Sequence, residues 1–247
     1  MIQRLAGIIL LAVAMPSAAV AQQAPRAYVE AGATNDYRVR GLSWSGGKAA
    51  VQGGVSVDLP AGFNAGLWAA STRHAARHGG ADAAVDAVAG YRKSSGPWRL
   101  EAAILGKFFP GGAGARDYVE THVSVGNMIG PVDLRLGANY APDQRALGGD
   151  NLYLRASARL AVIGTPLTLT AHAGRSSGGT DEPLKAFRLR PGGTYHDWSL
   201  GADYSMGPII VGLAYTDTDI DIGGTRGPGG ERLHAGSRLA ASLRFVL

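Results

Sequence analysis

The chain has 247 residues, a formal charge of +5 and no Cys. Lacking Cys, it has no disulfide framework and no thiolate metal site. A charge so small and dispersed gives no nucleic-acid footprint, and past residue 21 no apolar run approaches the ~20 residues of a membrane helix.

Residues 1–21 read as an export signal rather than structure. Arg4 gives the positive start, 5–15 is an apolar run too short to span a bilayer, and Ala19-Val20-Ala21 is a small-x-small cleavage site. Cleavage is expected before Gln22, leaving 22–247, long enough for one barrel domain or one ordinary globular domain, with a charge of +4 once Arg4 is gone.

From there the chain reads as twelve alternating segments, at 27–35, 49–59, 63–72, 82–93, 98–109, 117–127, 131–141, 151–162, 166–174, 196–206, 208–218 and 236–247. A two-residue period marks a strand with one apolar and one polar face. In the fourth segment Val85, Ala87, Ala89 and Tyr91 form the apolar row. In the fifth, Trp98, Leu100, Ala102, Ile104 and Phe108 stand opposite Arg99, Glu101 and Lys107. The seventh sets Val132, Leu134, Leu136, Ala138 and Tyr140 against Asp133, Arg135 and Asn139. The eighth sets Leu152, Leu154, Ala156, Ala158 and Leu160 against Arg155, Ser157 and Arg159. The clearest unit is the hairpin 197–217, where Trp198, Leu200, Ala202 and Tyr204 alternate with Asp197, Ser199, Gly201 and Asp203. Met206-Gly207-Pro208 turns the chain, and Ile209, Val211, Leu213 and Tyr215 resume the apolar row. The last segment pairs Leu239, Ala241, Leu243, Phe245 and Leu247 with Arg238, Ser242 and Arg244 on the other parity.

The connections alternate too. Those after even segments are short and carry Gly or Pro, which supply a positive or a fixed φ. Those after odd segments are mostly longer and more polar, as at 72–81, 110–116, 142–150, 176–195 and 219–235. Short turns at one end, long loops at the other and an even strand number are the pattern of an outer-membrane barrel. The aromatics agree. Phe63, Tyr91, Trp98, Phe108, Tyr140, Trp198, Tyr204, Tyr215 and Phe245 lie near segment ends on the apolar parity, as rings at a membrane boundary do. Trp68 alone is mid-segment on the opposite parity, so it is expected to point into the lumen. The fold expected is all-β: a closed, antiparallel, up-and-down transmembrane β-barrel of about twelve strands, its first and last strands paired because lipid cannot satisfy an open sheet edge.

Two stretches resemble a known family. N-D-Y-R-V-R-G-L-S-W-S-G-G-K-A-A-V-Q-G-G at 35–54, continued by G-F-N-A-G-L-W-A at 62–69, is similar to the opening motif of the TorF family of porins, formerly a conserved hypothetical family. D-W-S-L-G and Y-T-D-T-D in the 197–219 hairpin resemble its closing motif, and D-Y-V-E at 117–120 a segment between. The resemblance implies a bacterial outer-membrane barrel with pore activity, and it brings no catalytic residues. One departure is the terminus, Phe245-Val246-Leu247, where such barrels commonly finish in the Phe that the assembly machinery recognises.

The side chains expected to line a pore are Arg99, Lys107, Arg135, Arg155, Arg159, Arg238, Arg244, Glu101, Asp133 and Asp203. Arg99, Lys107, Arg135, Arg155 and Arg159 lie on nearby segments and form a candidate basic wall, which favours anions in a pore. The opposed reading pairs these charges across the lumen with acids. Asp197 and Asp203 are available to pair with the wall.

Other chemistry is weaker. Glu120, His122 and Ser124 share one parity, an acid, a base and a hydroxyl that suggest a lipid hydrolase, yet neighbours two apart on a strand are ~6.6 Å from one another. His74 and His78 read as a solvated loop tip rather than a metal site. Asp217, Asp219 and Asp221 precede Gly223-Gly224 but lack the later Glu of a calcium loop. No cofactor is expected. The expected function is passive diffusion of small polar solutes across the outer membrane, with weak anion preference. The partners expected are outer-membrane lipids, lipopolysaccharide and the barrel assembly machinery. The alternatives are a barrel with a plugged lumen, a barrel lipid hydrolase and a soluble periplasmic ligand-binding barrel.

Overall fold

The computed structural model describes residues 24–221 and 232–247. The expected export signal and the Gly-rich run at 223–230 lie outside them. The chain forms β1 (Arg26–Thr34), β2 (Arg38–Val39), β3 (Leu42–Ser43), β4 (Ala50–Asp58), β5 (Phe63–Ser71), β6 (Ala83–Ser95) and β7 (Trp98–Phe108). Then follow β8 (Tyr118–Ile129), β9 (Val132–Ala141), β10 (Asn151–Ala161), β11 (Leu167–Ser177), α1 (Pro183–Ala186), β12 (Tyr195–Met206), β13 (Ile209–Thr218) and β14 (Arg238–Val246). All strands except β2 and β3 close into one antiparallel barrel of twelve. Each of the twelve alternating segments is a barrel strand. The largest difference in limits is at β11, which runs on to Ser177 rather than ending at 174.

Three turns share one solution. At Gly96-Pro97, Gly130-Pro131 and Gly207-Pro208 two residues join the flanking strands, with Ser95 opposite Trp98, Ile129 opposite Val132 and Met206 opposite Ile209. Each Gly has a positive φ, between 56° and 59°, and Pro follows with its fixed negative φ. Gly at the first central position gives the sign pattern of a II′ turn, whose twist matches that of the strands. Pro offers no N–H, but its carbonyl is used. Pro97, Pro131 and Pro208 accept from the Met128, Ala161 and Val246 amides at 2.9, 3.1 and 2.8 Å.

The ring is sealed by β1 and β14. Glu30 pairs with Val246 and Thr34 with Ser242, and beyond them Val29 and Leu247 exchange two backbone hydrogen bonds of 2.9 and 2.8 Å. With each of the twelve barrel strands paired on both sides, the wall presents no open edge, the condition a lipid environment imposes.

The wall carries its apolar side outward. Leu100, Ile104, Leu136, Leu200 and Leu243 are exposed. So are all nine aromatics named above, from Trp198 at 38% to Phe63 at 55%. Trp68 has the opposite parity and stands beside Asp58, Asn64 and Arg92 around a cavity inside the barrel. The buried apolar cluster is elsewhere, at the long-loop end. It gathers Leu42, Trp44, Ala81, Phe109, Leu147, Leu189 and Leu233 from six different loops, with Tyr118 and Tyr195 at strand ends.

Candidate pore lumen

Register places the polar parity of every strand on the inside. There the charges are largely paired. Arg92 reaches Glu101 at 3.1 Å and Asp58 at 3.5 Å, Arg135 reaches Asp133 at 3.1 Å and Glu101 at 3.9 Å, and Arg99 reaches Asp133 at 3.5 Å. Lys107 is bound to Asp86 at 2.6 Å and is 6% exposed. Arg244 holds Asp203 at 2.7 Å and Glu30 at 3.9 Å, and Arg238 lies 3.9 Å from Asp36. The supposed basic wall is therefore not continuous: acids from β6, β7 and β9 neutralise Arg99, Lys107 and Arg135. Arg155 and Arg159, on β10, make no ion pair among the described residues. The nitrogen Nε of Arg155 lies 3.0 Å from where a Cβ on Gly137 would sit, so that Gly clears the space the guanidinium fills. Asp203 pairs with Arg244 rather than with the wall. Asp197 instead accepts from the Tyr153 hydroxyl at 3.1 Å and lies 3.0 Å from His172 Nε2.

The connection from β1 to β4 does not remain outside. Its motif folds around Asp36, which is 3% exposed. The carboxylate of Asp36 accepts from Ser43 at 2.5 Å, Ser45 at 3.1 Å and Arg38 at 3.3 Å. This holds β2 and β3 together, and the tight turn between them has positive φ at both Arg40 (53°) and Gly41 (73°), the geometry of a I′ turn. The tip then crosses the barrel. Arg40 binds Glu120 on β8 at 2.6 Å, its guanidinium lies 4.5 Å above the Tyr153 ring on β10, and its carbonyl accepts from Tyr195 on β12 at 2.9 Å. In the strand order β8 and β10 lie opposite the β1–β4 pair from which the hairpin springs. Both partners are desolvated, with Glu120 1% exposed. The Glu120–His122–Ser124 row does not become a triad: Glu120 is taken by Arg40 and by Asn139 at 3.2 Å, and His122 Nδ1 lies 3.2 Å from Asn139.

Above the hairpin the mouth is a stack of rings and cations. His78 lies between Trp44, 4.6 Å away, and Phe109, 4.7 Å away and nearly parallel. On Phe109 rests the Arg188 guanidinium at 4.1 Å. Arg188 donates to the Arg116 carbonyl at 2.5 Å, and burial lowers it to about 10. His78 is fully buried, and among the described residues neither ring nitrogen has a hydrogen-bond partner. Burial first, then the nearby Arg188, Arg77 and Arg116, hold it well below the ordinary value of 6.5. The reading of His74 and His78 as one solvated tip is thus corrected. His74 is exposed and pairs with Asp82 at 3.1 Å, whereas His78 is core. Asp219 binds His196 at 2.8 Å, and Asp217 accepts from Tyr215 at 2.9 Å. Among the described residues no group of His and acids fits a metal ion.

The reading of the sequence missed Arg40, Tyr153, His172 and Arg188 as interior groups. For Arg40 a signal existed: R-G at 40–41, flanked by Val39 and Leu42, has the pattern of a hairpin turn between the first two alternating segments.

The fold has solved counterparts. A NanC porin structure superposes with a TM-score of 0.57 at 13% identity, covering 90% of this chain and 98% of that one. A KdgM porin, solved in complex with disordered oligogalacturonate, gives 0.58 at 7% identity, covering 88% and 98%. At such identities the likeness is one of fold. No curated protein matches the sequence. A family model, described as "Bacterial protein of unknown function (Gcw_chp)", matches residues 21–237. Its description does not carry the TorF name. With nearly the whole chain inside that match, the protein belongs to the Gcw_chp family.

Proposed function

We propose that this protein is an outer-membrane porin, a narrow passive pore for small polar solutes, of the kind the TorF resemblance implies. One observation carries the reading: an apolar, ring-belted exterior encloses a charged interior. Two cavities of about 360 and 590 Å³ lie within that interior. The NanC and KdgM porins share the fold, which supports the same placement in the outer membrane, among its lipids and lipopolysaccharide, after delivery by the assembly machinery. The weak anion preference rests on Arg155 and Arg159, the lumen cations of the former wall left without a carboxylate. The other lining charges, Arg99, Lys107, Arg135, Arg238, Arg244, Glu101, Asp133 and Asp203, are held in ion pairs, with Asp86, Asp36 and Glu30 among the partners.

The hairpin across the lumen favours a second reading, a structural barrel whose lumen is plugged. Conductance in planar bilayers separates the two. A pore gives discrete salt-carrying steps and a reversal potential on the anion side, and Arg155→Ser with Arg159→Ser moves that potential toward zero. Refolded barrels that never conduct overturn the pore in favour of the plug. Cation selectivity in the parent overturns the anion preference.

A further inference from the structure

Trp68 stands apart from the outward-facing strand tryptophans, Trp98 and Trp198, and its surroundings explain the difference. It lies on β5 directly opposite Gly54 of β4. A Cβ on Gly54 would stand 2.7 Å from the indole Cε3, so the glycine lets the ring lie down against the wall. The next inward positions along β5 are Gly66, which is small, and Asn64. The cavity of about 590 Å³ in front of the ring is lined by Tyr28, Glu30, Asp58, Asn64, Arg92 and Glu101, among others. Its size falls within the roughly 300–1,000 Å³ of small-molecule sites. The polar groups there form a fork: Arg92 sits between Asp58 at 3.5 Å and Glu101 at 3.1 Å. Asn64, paired across the ladder with Asp58, also lines the cavity, and among the described residues its amide nitrogen has no hydrogen-bond partner.

We infer that this cavity is a binding site for a neutral saccharide. A flat indole offers a partner for the C–H face of a pyranose ring. Planar carboxylate, guanidinium and amide groups beside it match adjacent hydroxyls, which both donate and accept. The charge decides the class. Glu30, Asp58 and Glu101 face the cavity against Arg92, with Arg244 3.9 Å from Glu30 and Arg135 3.9 Å from Glu101, so the acids are matched by cations and no surplus positive charge is left to hold an acidic sugar. The inference deepens the pore reading and rests on it, since the site lies in the lumen toward the short-turn end.

The test uses the mature protein, refolded in detergent, with calorimetric titration of maltose and, as the acidic probe, galacturonate. Salt conductance is measured separately in bilayers. Maltose should bind at millimolar concentrations and galacturonate more weakly. Trp68→Ala should weaken maltose binding about tenfold, Trp68→Phe should retain most of it, and Asn64→Ala should weaken it while heat-modifiable gel migration reports an intact barrel. A parent that conducts salt but binds no maltose overturns the site and leaves the pore. Maltose binding without conductance overturns the pore and leaves the site. Equal binding by Trp68→Ala, or tighter binding of galacturonate, overturns the inference.

Discussion

The wall and the mouth of this barrel obey opposite rules. In the wall, apolar side chains point out and charges point in, as when Leu136 lies exposed beside an inward Arg135. At the mouth, apolar side chains converge inward, and Leu42, Trp44, Phe109, Leu147 and Leu233 are each less than 7% exposed. The wall satisfies its backbone with strand ladders and leaves its apolar surface to a hydrocarbon solvent. The mouth stands in water, so it needs a core in the ordinary sense, where burial of apolar area drives packing. One chain therefore folds in two solvents at once, and the β2–β3 hairpin is the element that joins the two regimes.

The sharpest way to break that division is at the join. Arg40→Ala leaves Glu120, 1% exposed, without its cation, a change that costs about 3–5 kcal/mol. The wall does not depend on this pair. Heat-modifiable migration should stay normal while the hairpin exchanges its amides faster and single-channel conductance rises several-fold. An unchanged conductance would show that the hairpin does not limit passage.

The wall is tested by an outward charge. Leu136→Arg at the middle of β9 places a guanidinium on the exposed apolar face, costing about 2–4 kcal/mol in a bilayer. Folding titrations in lipid vesicles should show that loss, and titrations of loop amide exchange should show none. A wall indifferent to the charge would mean its outer face does not meet hydrocarbon.

The smallest effect is a pH dependence confined to the mouth. His78 is held below 6.5 by burial and then by Arg188, Arg77 and Arg116. An opened mouth therefore binds a proton that the packed mouth refuses. Packing is fully stable above about 6.5 and weakens as pH falls, by about 1.4 kcal/mol per unit below that value. Hydrogen exchange at 72–82 and 109–117, corrected for intrinsic rates, should accelerate below that pH, while the strands stay protected. His78→Phe should remove the dependence.

The same division explains what could be read from the sequence. The strands were legible because each one repeats a two-residue period for nine residues or more, and Gly-Pro marks three of the turns. Parity also placed Trp68 and the inward charges. The partners of those charges were not legible, because Arg92 meets Asp58 and Arg99 meets Asp133 across an intervening strand, and that depends on register. The mouth was hidden for another reason. Its apolar residues come one or two to a loop, with no period, and only their convergence makes a core. His78 shows this well: nothing within 72–82 says that Trp44 and Phe109 enclose it.

The hairpin also bears on the shape of the ring. A closed wall one strand thick resists crushing only through its own bending stiffness, so its easiest deformation is into an oval. The β2–β3 tip springs from the seam beside β1 and β4 and is fastened on β8, β10 and β12. It is a spoke. A spoke fixed at both ends of a diameter holds the cross-section round along that line, and it does so next to the seam where the first and last strands must stay together.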